Sequence, residues 1–374
     1  MRLYKKRRVA GADLNSLNAD LCRIIEGYST AKDFRSFLMV NKHTHDEYKE
    51  YHNFPLDKTH SNLFVRDSSF RSRVLSLIVD PAKQLKLNLL HCTRSANSLG
   101  DEISHLGNIH TVNLSYNSWL KDVSSLGSVR NLYLYGCENI TDVNALANVH
   151  TLDLSYCSRL TDVSALGGVH TLNLSSCPLI YDVTKLGGVN TLNLSCCQFI
   201  VNVNSLGTVK SLNLSYCAEV TDVSSLGSVT SLNISYCTSV TDVSSLRRVR
   251  TLNVTGCINN ASFRFLSSVH TLYVCNFYTR SIDVSCLGCV HTLSLAHCLC
   301  ITDVSALGGV HSLDLTGCSG ISDVSALGKV HNLNLSYCTG VSDVSALEGV
   351  HSLNISHCPN ISISDWLRWG RRKS

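Results

Sequence analysis

The chain has 374 residues, of which 16% are charged, 7% are aromatic and only four are proline. With 44% hydrophobic residues it is too apolar for a disordered chain and can bury a continuous core. The net charge of +4 excludes a strongly basic, dedicated nucleic-acid binder, and no apolar run approaches the roughly 18 residues of a membrane span. Composition therefore predicts neither nucleic acid nor a membrane as a partner.

Residues 1–84 contain no repeat and carry more lysine and arginine than aspartate and glutamate. Residues 1–9 form a basic tail in which Lys5–Arg8 fits either a nuclear import signal or a solvated terminus, and no apolar signal core follows. Apolar residues then recur at helical spacing over 17–28 and 34–40. This spacing predicts two or three short amphipathic helices in a domain of residues 10–54.

The same segment resembles an F-box. The places that match the family outline are Leu17, Asp20, Leu21, Ile24, Ile25, Tyr28, Asp33, Phe34, Val40, Asn41 and Lys42. Asn18 stands where the family usually has proline, and no tryptophan follows Val40. The resemblance implies that a Skp1-like adaptor binds through Leu17, Leu21, Ile24, Ile25 and Phe34. The alternative is a helical cap that only covers the open end of the following domain.

Residues 55–84 are predicted to be a linker with one cap helix. Asp67 precedes an apolar stripe that ends before Pro81, which predicts a helix over 67–78. We expect this helix to pack on the first strand of the following domain, over 85–89.

From residue 85 onward the sequence repeats at intervals of about twenty residues, close to Val-His-Thr-Leu-Asn-Leu-Ser-Tyr-Cys-x-x-Val-Thr-Asp-Val-Ser-Ala-Leu-Gly-Gly. The fourteen units begin at Leu85, His110, Arg130, His150, His170, Asn190, Lys210, Thr230, Arg250, His270, His291, His311, His331 and His351. Such self-similarity predicts a solenoid over 85–363. Residues 364–374, which include Trp366 and Trp369, are predicted to form a C-terminal cap and a basic tail.

Within one unit, Val149–Cys157 has the L-x-x-L-x-L-x-x-C spacing of a leucine-rich repeat, with valine in the first place, and the chain resembles that family. Alternation puts Leu152 and Leu154 on one face of a short strand, and Thr151, Asp153 and Ser155 on the other. About eleven residues return to the next strand, too few for a two-turn helix with its connections. The predicted fold is an α/β solenoid: a horseshoe with a parallel concave β-sheet and short 3₁₀ or extended convex segments, preceded by a small helical domain.

Two columns of the repeat are predicted to be structural. A short carboxylate before the return segment can accept hydrogen bonds from free backbone N–H groups, as expected at Asp142, Asp162, Asp182, Asp222, Asp242, Asp283, Asp303, Asp323 and Asp343. Twelve of the eighteen cysteines follow the strand: Cys92, Cys137, Cys157, Cys177, Cys197, Cys217, Cys237, Cys257, Cys298, Cys318, Cys338 and Cys358. We expect them to be buried thiols in a reducing compartment rather than disulfides.

No catalytic residue, cofactor or metal site is predicted. Serine, histidine and aspartate occur in nearly every unit, so accidental triads are unavoidable, and no G-x-S-x-G, H-E-x-x-H or phosphate-binding glycine motif is present. Cys286 and Cys289 have partial zinc spacing, but they fall on the return segment, whereas Cys275 falls on a strand and Cys298 at a turn. The chain is therefore not predicted to be an enzyme.

Histidine occupies the place before the strand in five successive units, namely His270, His291, His311, His331 and His351. If their rings line up at the inter-strand spacing of about 4.8 Å, protonated neighbours repel and acid destabilises the C-terminal half. The alternative is that the exposed side chains splay apart and titrate normally.

The outward face of the sheet is where leucine-rich repeat proteins usually bind, and here its columns are mostly short and polar. The departures are binding candidates, because tyrosine and arginine are enriched at interface hot spots. They are Tyr116, Tyr133, Tyr135 and Tyr156 in one aromatic spot, and Tyr273, Tyr278 and Arg280 in an irregular stretch between Thr255 and Cys300. The alternative is decay of the repeat without function.

Together the two resemblances imply an F-box and leucine-rich repeat protein. Such proteins are substrate-recognition subunits of SCF-type ubiquitin ligases, in which the F-box docks on a Skp1-like adaptor and the repeats hold a protein substrate, here unidentified. Eukaryotes and large DNA viruses both encode such pairings. The implied location is cytoplasmic or nuclear, in the host cell if the source is viral. The alternative is a leucine-rich repeat interaction scaffold with no ubiquitin-ligase role.

Overall fold

The computed structural model describes residues 54–56, 58–77, 81, 85–90, 103–257, 263–276 and 283–362. The chain divides into two compact units. The first unit runs to Leu160 and includes Gly168–Thr171, and the second comprises Thr161–Gly167 and Leu172 onward. The F-box-like segment before Phe54, the basic tail 1–9 and the segment 364–374 lie outside the described residues.

The first unit begins with strand β1 (Phe54–Leu56), helices α1 (Lys58–Arg66) and α2 (Ser68–Leu77), and strand β2 (Leu85–Asn88). Helix α2 agrees with the predicted helix over 67–78. Asp67 caps it, because its Oδ1 accepts the backbone N–H groups of Ser69 and Phe70 at 2.8 and 3.0 Å.

The first strand and the first helix were not predicted from the sequence. Strand β1 pairs in parallel with β2, so that Leu56 lies opposite Leu87. The buried hydroxyl of Ser61 on α1 donates to the carbonyl oxygen of Leu56 at 3.1 Å and accepts the backbone N–H of Asn88 at 2.8 Å. One serine therefore joins α1 to both strands.

Each later repeat contributes one three-residue strand. These are β3 (Thr111–Asn113), β4 (Asn131–Tyr133), β5 (Thr151–Asp153), β6 (Thr171–Asn173), β7 (Thr191–Asn193), β8 (Ser211–Asn213), β9 (Ser231–Asn233), β10 (Thr251–Asn253), β11 (Thr271–Tyr273), β12 (Thr292–Ser294), β13 (Ser312–Asp314), β14 (Asn332–Asn334) and β15 (Ser352–Asn354). Within each of the two compact units, neighbouring strands pair in parallel and in register, as Leu212 does with Leu232. The parallel sheet predicted from the repeat is confirmed.

The return segments are short 3₁₀ turns, as the repeat length predicts. They span Ile103–Leu106, Ser124–Leu126, Asn144–Asn148, Ser164–Gly168, Leu186–Gly188, Asn204–Thr208, Ser224–Ser228, Ser244–Arg248, Phe263–Leu266, Ser285–Leu287, Ser305–Gly309, Ser325–Lys329 and Ser345–Gly349. Glycine lets neighbouring turns approach closely. A Cβ atom added to Gly227 would lie 2.6 Å from the carbonyl oxygen of Ser245 in the next coil.

The core of each coil consists of small and medium apolar side chains between strand and return turn. In the coil that starts at Arg130, the side chains that face the core are at most 2% exposed: Leu132, Leu134, Cys137, Ile140, Val143, Leu146 and Val149. Ser155 lies beside Asp153, because its backbone N–H and its hydroxyl both donate to Asp153 Oδ1 at 2.9 and 2.5 Å, although the serine itself is only 1% exposed.

The aspartate column caps the return turns, as predicted. Asp303 Oδ1 accepts the backbone N–H of Ser305 at 2.9 Å, and hydrogen bonds from the Ser305 side chain and backbone hold the pKa of Asp303 below its ordinary value. Asn202 occupies the same place and its Oδ1 accepts the backbone N–H of Asn204 at 3.0 Å. An amide therefore makes the same cap without the charge.

The column cysteines of the described residues are free thiols, and all except the half-buried Cys358 are buried. Cys237 Sγ donates to the carbonyl oxygen of Leu214 in the preceding coil at 3.0 Å. Burial raises the pKa of Cys237 to about 12, so the thiol stays protonated and poorly nucleophilic. The prediction of buried thiols is confirmed for the described column cysteines other than Cys358. Cys92 lies outside the described residues.

Candidate binding surface

Each strand from β3 to β15 is followed by one residue in the left-handed backbone conformation. In the described coils its φ lies between 58° and 71°, and the place is held by tyrosine, serine, cysteine, asparagine, histidine or glycine. Its N–H donates to a carbonyl of the next coil, as Tyr216 does to Ser235 at 2.9 Å. A left-handed backbone is costly for a bulky residue such as tyrosine. The hydrogen bond to the next coil holds the backbone in that conformation, and it thereby fixes the tyrosine ring at the edge of the strand face.

The first unit gathers a cluster of tyrosines on that face. The rings of Tyr116 and Tyr135 lie 4.7 Å apart, and those of Tyr135 and Tyr156 lie 4.9 Å apart. Gly136 leaves the left-handed place of this coil without a side chain, and an added Cβ would meet the Tyr116 ring at 3.2 Å. Three of the four tyrosines predicted together are therefore in contact, with Tyr116 46% and Tyr156 51% exposed.

Hydrogen bonding to Tyr116, followed by partial burial, raises the pKa of Tyr135 to about 12. The Tyr135 phenol is consequently neutral at physiological pH. It presents a hydroxyl group as well as an aromatic face to any partner.

Tyr133 completes the cluster at the end of β4. In most coils an asparagine or aspartate holds this place, and its Oδ1 accepts the N–H two residues later, as Asn213 does from Ser215 at 3.0 Å. A tyrosine cannot make that cap, yet Tyr133 stands there 36% exposed, with Asp153 opposite it on β5. We name Tyr116, Tyr133, Tyr135 and Tyr156 the tyrosine cluster.

Tyr273 is the corresponding departure in the second unit. It ends β11 opposite Asn253 and Ser294 and is 38% exposed. It lines a shallow depression of about 330 Å³ that extends over β12–β15. Tyr278 and Arg280, the other candidates predicted for this stretch, lie outside the described residues, as do Leu17, Leu21, Ile24, Ile25 and Phe34.

A hydrogen-bonded network underlies that depression. Asp314 accepts the hydroxyl of Ser294 at 3.0 Å through Oδ2, and the backbone N–H and hydroxyl of Thr316 at 3.1 and 2.5 Å through Oδ1. Asn334 donates to the Thr316 hydroxyl at 2.8 Å. The network fixes polar groups on a surface too shallow to enclose a small ligand.

Sequence reasoning missed further ring contacts in the second unit. Tyr216 and Tyr236 stack at 4.7 Å, and Tyr337 stacks on His357 at 4.4 Å. Asn276 reaches past Gly256 and donates to the Tyr236 hydroxyl at 2.9 Å. All five of these residues, from Tyr216 to His357, occupy the left-handed position after a strand. Because this position recurs once in every coil, the sequence could have shown that their side chains share one surface.

The histidine column stacks rather than splaying apart. Ring centroids are 4.6 Å apart between His270 and His291 and between His291 and His311, 4.8 Å between His311 and His331, and 4.5 Å between His331 and His351. Partial desolvation and then the charges of His291 and His331 lower the pKa of His311.

Among the described residues, no group of three or more histidine, cysteine, aspartate or glutamate side chains is placed to hold a metal ion. No helix in the same ranges is long and apolar enough to cross a membrane.

Comparison with solved structures shows the leucine-rich repeat fold. An internalin from Listeria monocytogenes has a TM-score of 0.54 at 19% identity, over 82% of this chain and 93% of that chain. The functional domain of InlJ from the same organism, which includes a cysteine ladder, has a TM-score of 0.44 at 15% identity, over 80% and 74%. A leucine-rich repeat protein of Leptospira interrogans has a TM-score of 0.45 at 14% identity, over 88% and 96%. No family model and no curated protein matches the chain.

Proposed function

We propose that the chain is a protein-binding leucine-rich repeat protein whose tyrosine cluster contacts the partner. One observation carries this proposal: Tyr133 stands where neighbouring coils use an amide or carboxylate to cap the turn. Replacing a capping residue by an exposed ring gives up a hydrogen bond of the fold. A binding role accounts for that loss, because exposed tyrosines supply contact area with little rotamer entropy to lose.

The chemistry of the surface favours a protein over a small molecule. The cluster offers aromatic faces and phenol hydroxyls beside the carboxylate of Asp153, without an enclosing cavity. Such surfaces suit a partner that presents apolar side chains and hydrogen-bond donors on an exposed face.

The chain itself supplies substitutions that test the cluster with little risk to the fold. Tyr133→Asn and Tyr135→Ser restore the residues of neighbouring coils, as at Asn113 and Ser155. Tyr181→Thr is the matched control, because Tyr181 is 66% exposed outside the cluster and threonine holds its place in other coils, as at Thr161.

The full chain and its variants would be immobilised and exposed to the same cell extract, with retained proteins quantified by mass spectrometry. We expect the Tyr133→Asn/Tyr135→Ser variant to lose at least one partner tenfold or more relative to the wild type and to Tyr181→Thr. Identical retained sets in all three would refute the cluster as the binding surface.

We further propose that this protein is the substrate receptor of an SCF-type ubiquitin ligase, located in the cytoplasm or nucleus. The F-box-like pattern at Leu17, Leu21, Ile24, Ile25 and Phe34 supports this role, as does a repeat domain that leaves an aromatic face free for a substrate. Reduced column thiols are also consistent with it.

Co-purification of the full chain with a Skp1-like adaptor tests the ligase role. We expect a complex at micromolar concentration that Leu21→Asp/Ile24→Asp abolishes, because carboxylates on the apolar stripe oppose its burial. If the wild type forms no complex while the tyrosine cluster still retains a partner, the protein is an interaction scaffold without a ligase role.

A further inference from the structure

The second unit carries a line of basic side chains where each coil enters its strand. Seven of eight successive coils have lysine, arginine or histidine at this place, and all seven side chains are exposed: Lys210, Arg250, His270, His291, His311, His331 and His351. Thr230 is the neutral exception. We name these seven residues the basic edge.

The five histidines of the basic edge form one ladder. In four of them Nδ1 lies 3.2 or 3.3 Å from an oxygen of the next residue, as in His291 with the Thr292 hydroxyl and His331 with Asn332 Oδ1. With Nδ1 so engaged, Nε2 is the ring nitrogen left for an external partner.

The charged and titratable residues of the turns leading into these strands are mostly basic. Arg247 and Arg248 precede Arg250, and Cys289 and Lys329 precede two of the histidines. Glu348, at the far end of the column, is the acidic residue among these turns in the described coils. With its histidines protonated, the edge is a nearly continuous row of positive charge.

A second line, of opposite charge, lies two residues before the 3₁₀ turn of six coils, well after the strand has ended. It consists of Asp222, Asp242, Asp283, Asp303, Asp323 and Asp343, all exposed. The coil that starts at Arg250 has Ser262 at this place. Each aspartate uses Oδ1 to accept a backbone N–H at 2.8 or 2.9 Å. We name these six residues the acidic edge. The hydrogen bonds from the turn lower their pKa, so they remain charged in mild acid.

Both edges follow the repeat, because each occupies one place of the coil. The stacked rings set the five histidines of the basic edge at 4.5 to 4.8 Å per coil, close to the spacing of about 4.8 Å between strands. A binding partner can face successive charges of such a row only if its own opposite charges also recur in a row. The acidic edge of another copy offers one carboxylate per coil over Asp283, Asp303, Asp323 and Asp343.

We propose that copies of this chain associate in mild acid, with the basic edge of one copy against the acidic edge of the next. Because a coil carries the two edges at different places of the repeat, the contact is heterologous and the product is an open chain of copies. Protonation of the histidine ladder is otherwise opposed by repulsion between neighbouring rings, and the facing carboxylates relieve that repulsion. The tyrosine cluster takes no part, so the inference goes beyond the proposed function and does not depend on it.

Sedimentation velocity of the full-length protein at pH 5.5 and 7.5 measures the association. We expect an apparent dissociation constant at least tenfold lower at pH 5.5 in 50 mM NaCl, and a return to monomer at pH 7.5 or in 500 mM NaCl, because salt screens exposed charges. A monomer at both pH values, or association at pH 5.5 that 500 mM NaCl does not weaken, would overturn the proposal.

Two variants distinguish this contact from non-specific association. In each, charged or titratable residues are replaced by a neutral residue that the chain itself uses at the same position of the repeat. The basic-edge variant replaces the five histidines by asparagine, the residue found at Asn190. The acidic-edge variant replaces Asp283, Asp303, Asp323 and Asp343 by asparagine, which keeps the turn cap as Asn202 does.

Each variant alone is expected to remain monomeric at pH 5.5, and an equimolar mixture to form a one-to-one dimer, because each retains one intact edge. Association of either variant alone, or a mixture that stays monomeric, would contradict the edge-to-edge contact. Circular dichroism at pH 7.5 identifies a variant that has lost its fold. If a variant has lost its fold, a double substitution is used instead: His291→Asn/His331→Asn for the basic edge, or Asp303→Asn/Asp323→Asn for the acidic edge. We expect each double substitution to weaken self-association at pH 5.5 at least threefold.

Discussion

Replacement of Cys237 by alanine measures how much the cysteine column stabilises the stack of coils. The Cys237 side chain is 0% exposed, and its thiol donates to the Leu214 carbonyl oxygen at 3.0 Å. That oxygen also accepts the backbone N–H of Cys217 at 3.1 Å, so it keeps one hydrogen bond after the change. The substitution therefore removes one buried heavy atom and one weak hydrogen bond, without leaving an unpaired carbonyl.

The size of the effect follows from these losses. Removal of one buried atom of about methylene size costs about 0.8 kcal/mol in transfer free energy. A cavity of about 25 Å³ adds about 0.6 kcal/mol at roughly 24 cal/mol per Å³. We expect Cys237→Ala to lower the free energy of unfolding by about 1.5 kcal/mol, with the greatest loss of protection in the coils on either side.

Urea unfolding followed by circular dichroism, with hydrogen exchange for location, measures this change. Cys289→Ala is the matched control, because Cys289 is an exposed thiol at the turn before a strand. We expect that variant to change the free energy of unfolding by less than about 0.5 kcal/mol. Equal destabilisation by both changes, or equal reaction rates of Cys237 and Cys289 with a thiol reagent in the wild type, would refute the reasoning.

The coils could be predicted from the sequence because two periods coincide in it. A twenty-residue repeat fixes the stack, and the alternation of Leu152 and Leu154 fixes the strand face within each coil. The shortness of the return segment leaves room only for 3₁₀ turns or extended chain, and the structure shows 3₁₀ turns. Each inference rests on local geometry that every unit repeats, and so an error in one unit is corrected by the others.

The start of the first unit could not be predicted in the same way. Strand β1 is three residues long and outside the repeat, so only its pairing with β2 defines it. Helix α1 buries His60 and Ser61, which interrupts the apolar spacing that marks a helix. Ser61 is buried because its hydroxyl joins Leu56 to Asn88. Ser61 and Asn88 are 27 positions apart, and no local pattern reveals their contact.

The binding surface was predicted in part, because departures from a repeat are visible in the sequence. Tyr133 and Tyr273 stand out against the asparagine column. The role of Tyr135 depends on the left-handed turns of the two neighbouring coils, since these hold Tyr116 and Tyr156, whose rings contact the Tyr135 ring. Tyr216 and Tyr236 were missed for the opposite reason: they match the repeat and so look purely structural.

Two further changes test the turn and the histidine ladder. Gly256→Ala places a Cβ atom 2.6 Å from the Tyr236 ring at a φ of +68°, and we expect urea unfolding to show a loss of about 1–2 kcal/mol, whereas Thr208→Ala, on a return turn, should cost less. For the ladder, replacement of its five histidines by asparagine should reduce the pH dependence of stability. The pKa of His311 is lowered in the folded chain, so between that value and the ordinary 6.5 the unfolded chain binds more protons. Wild-type stability is then fully present above about pH 6.5 and declines as pH falls through 6.5 toward the folded value. Urea midpoints at pH 7.5 and 5.5, taken at concentrations where only monomer sediments, should differ more in the wild type than in the variant. An equal pH dependence in both proteins would show that the stacked rings do not repel one another when protonated.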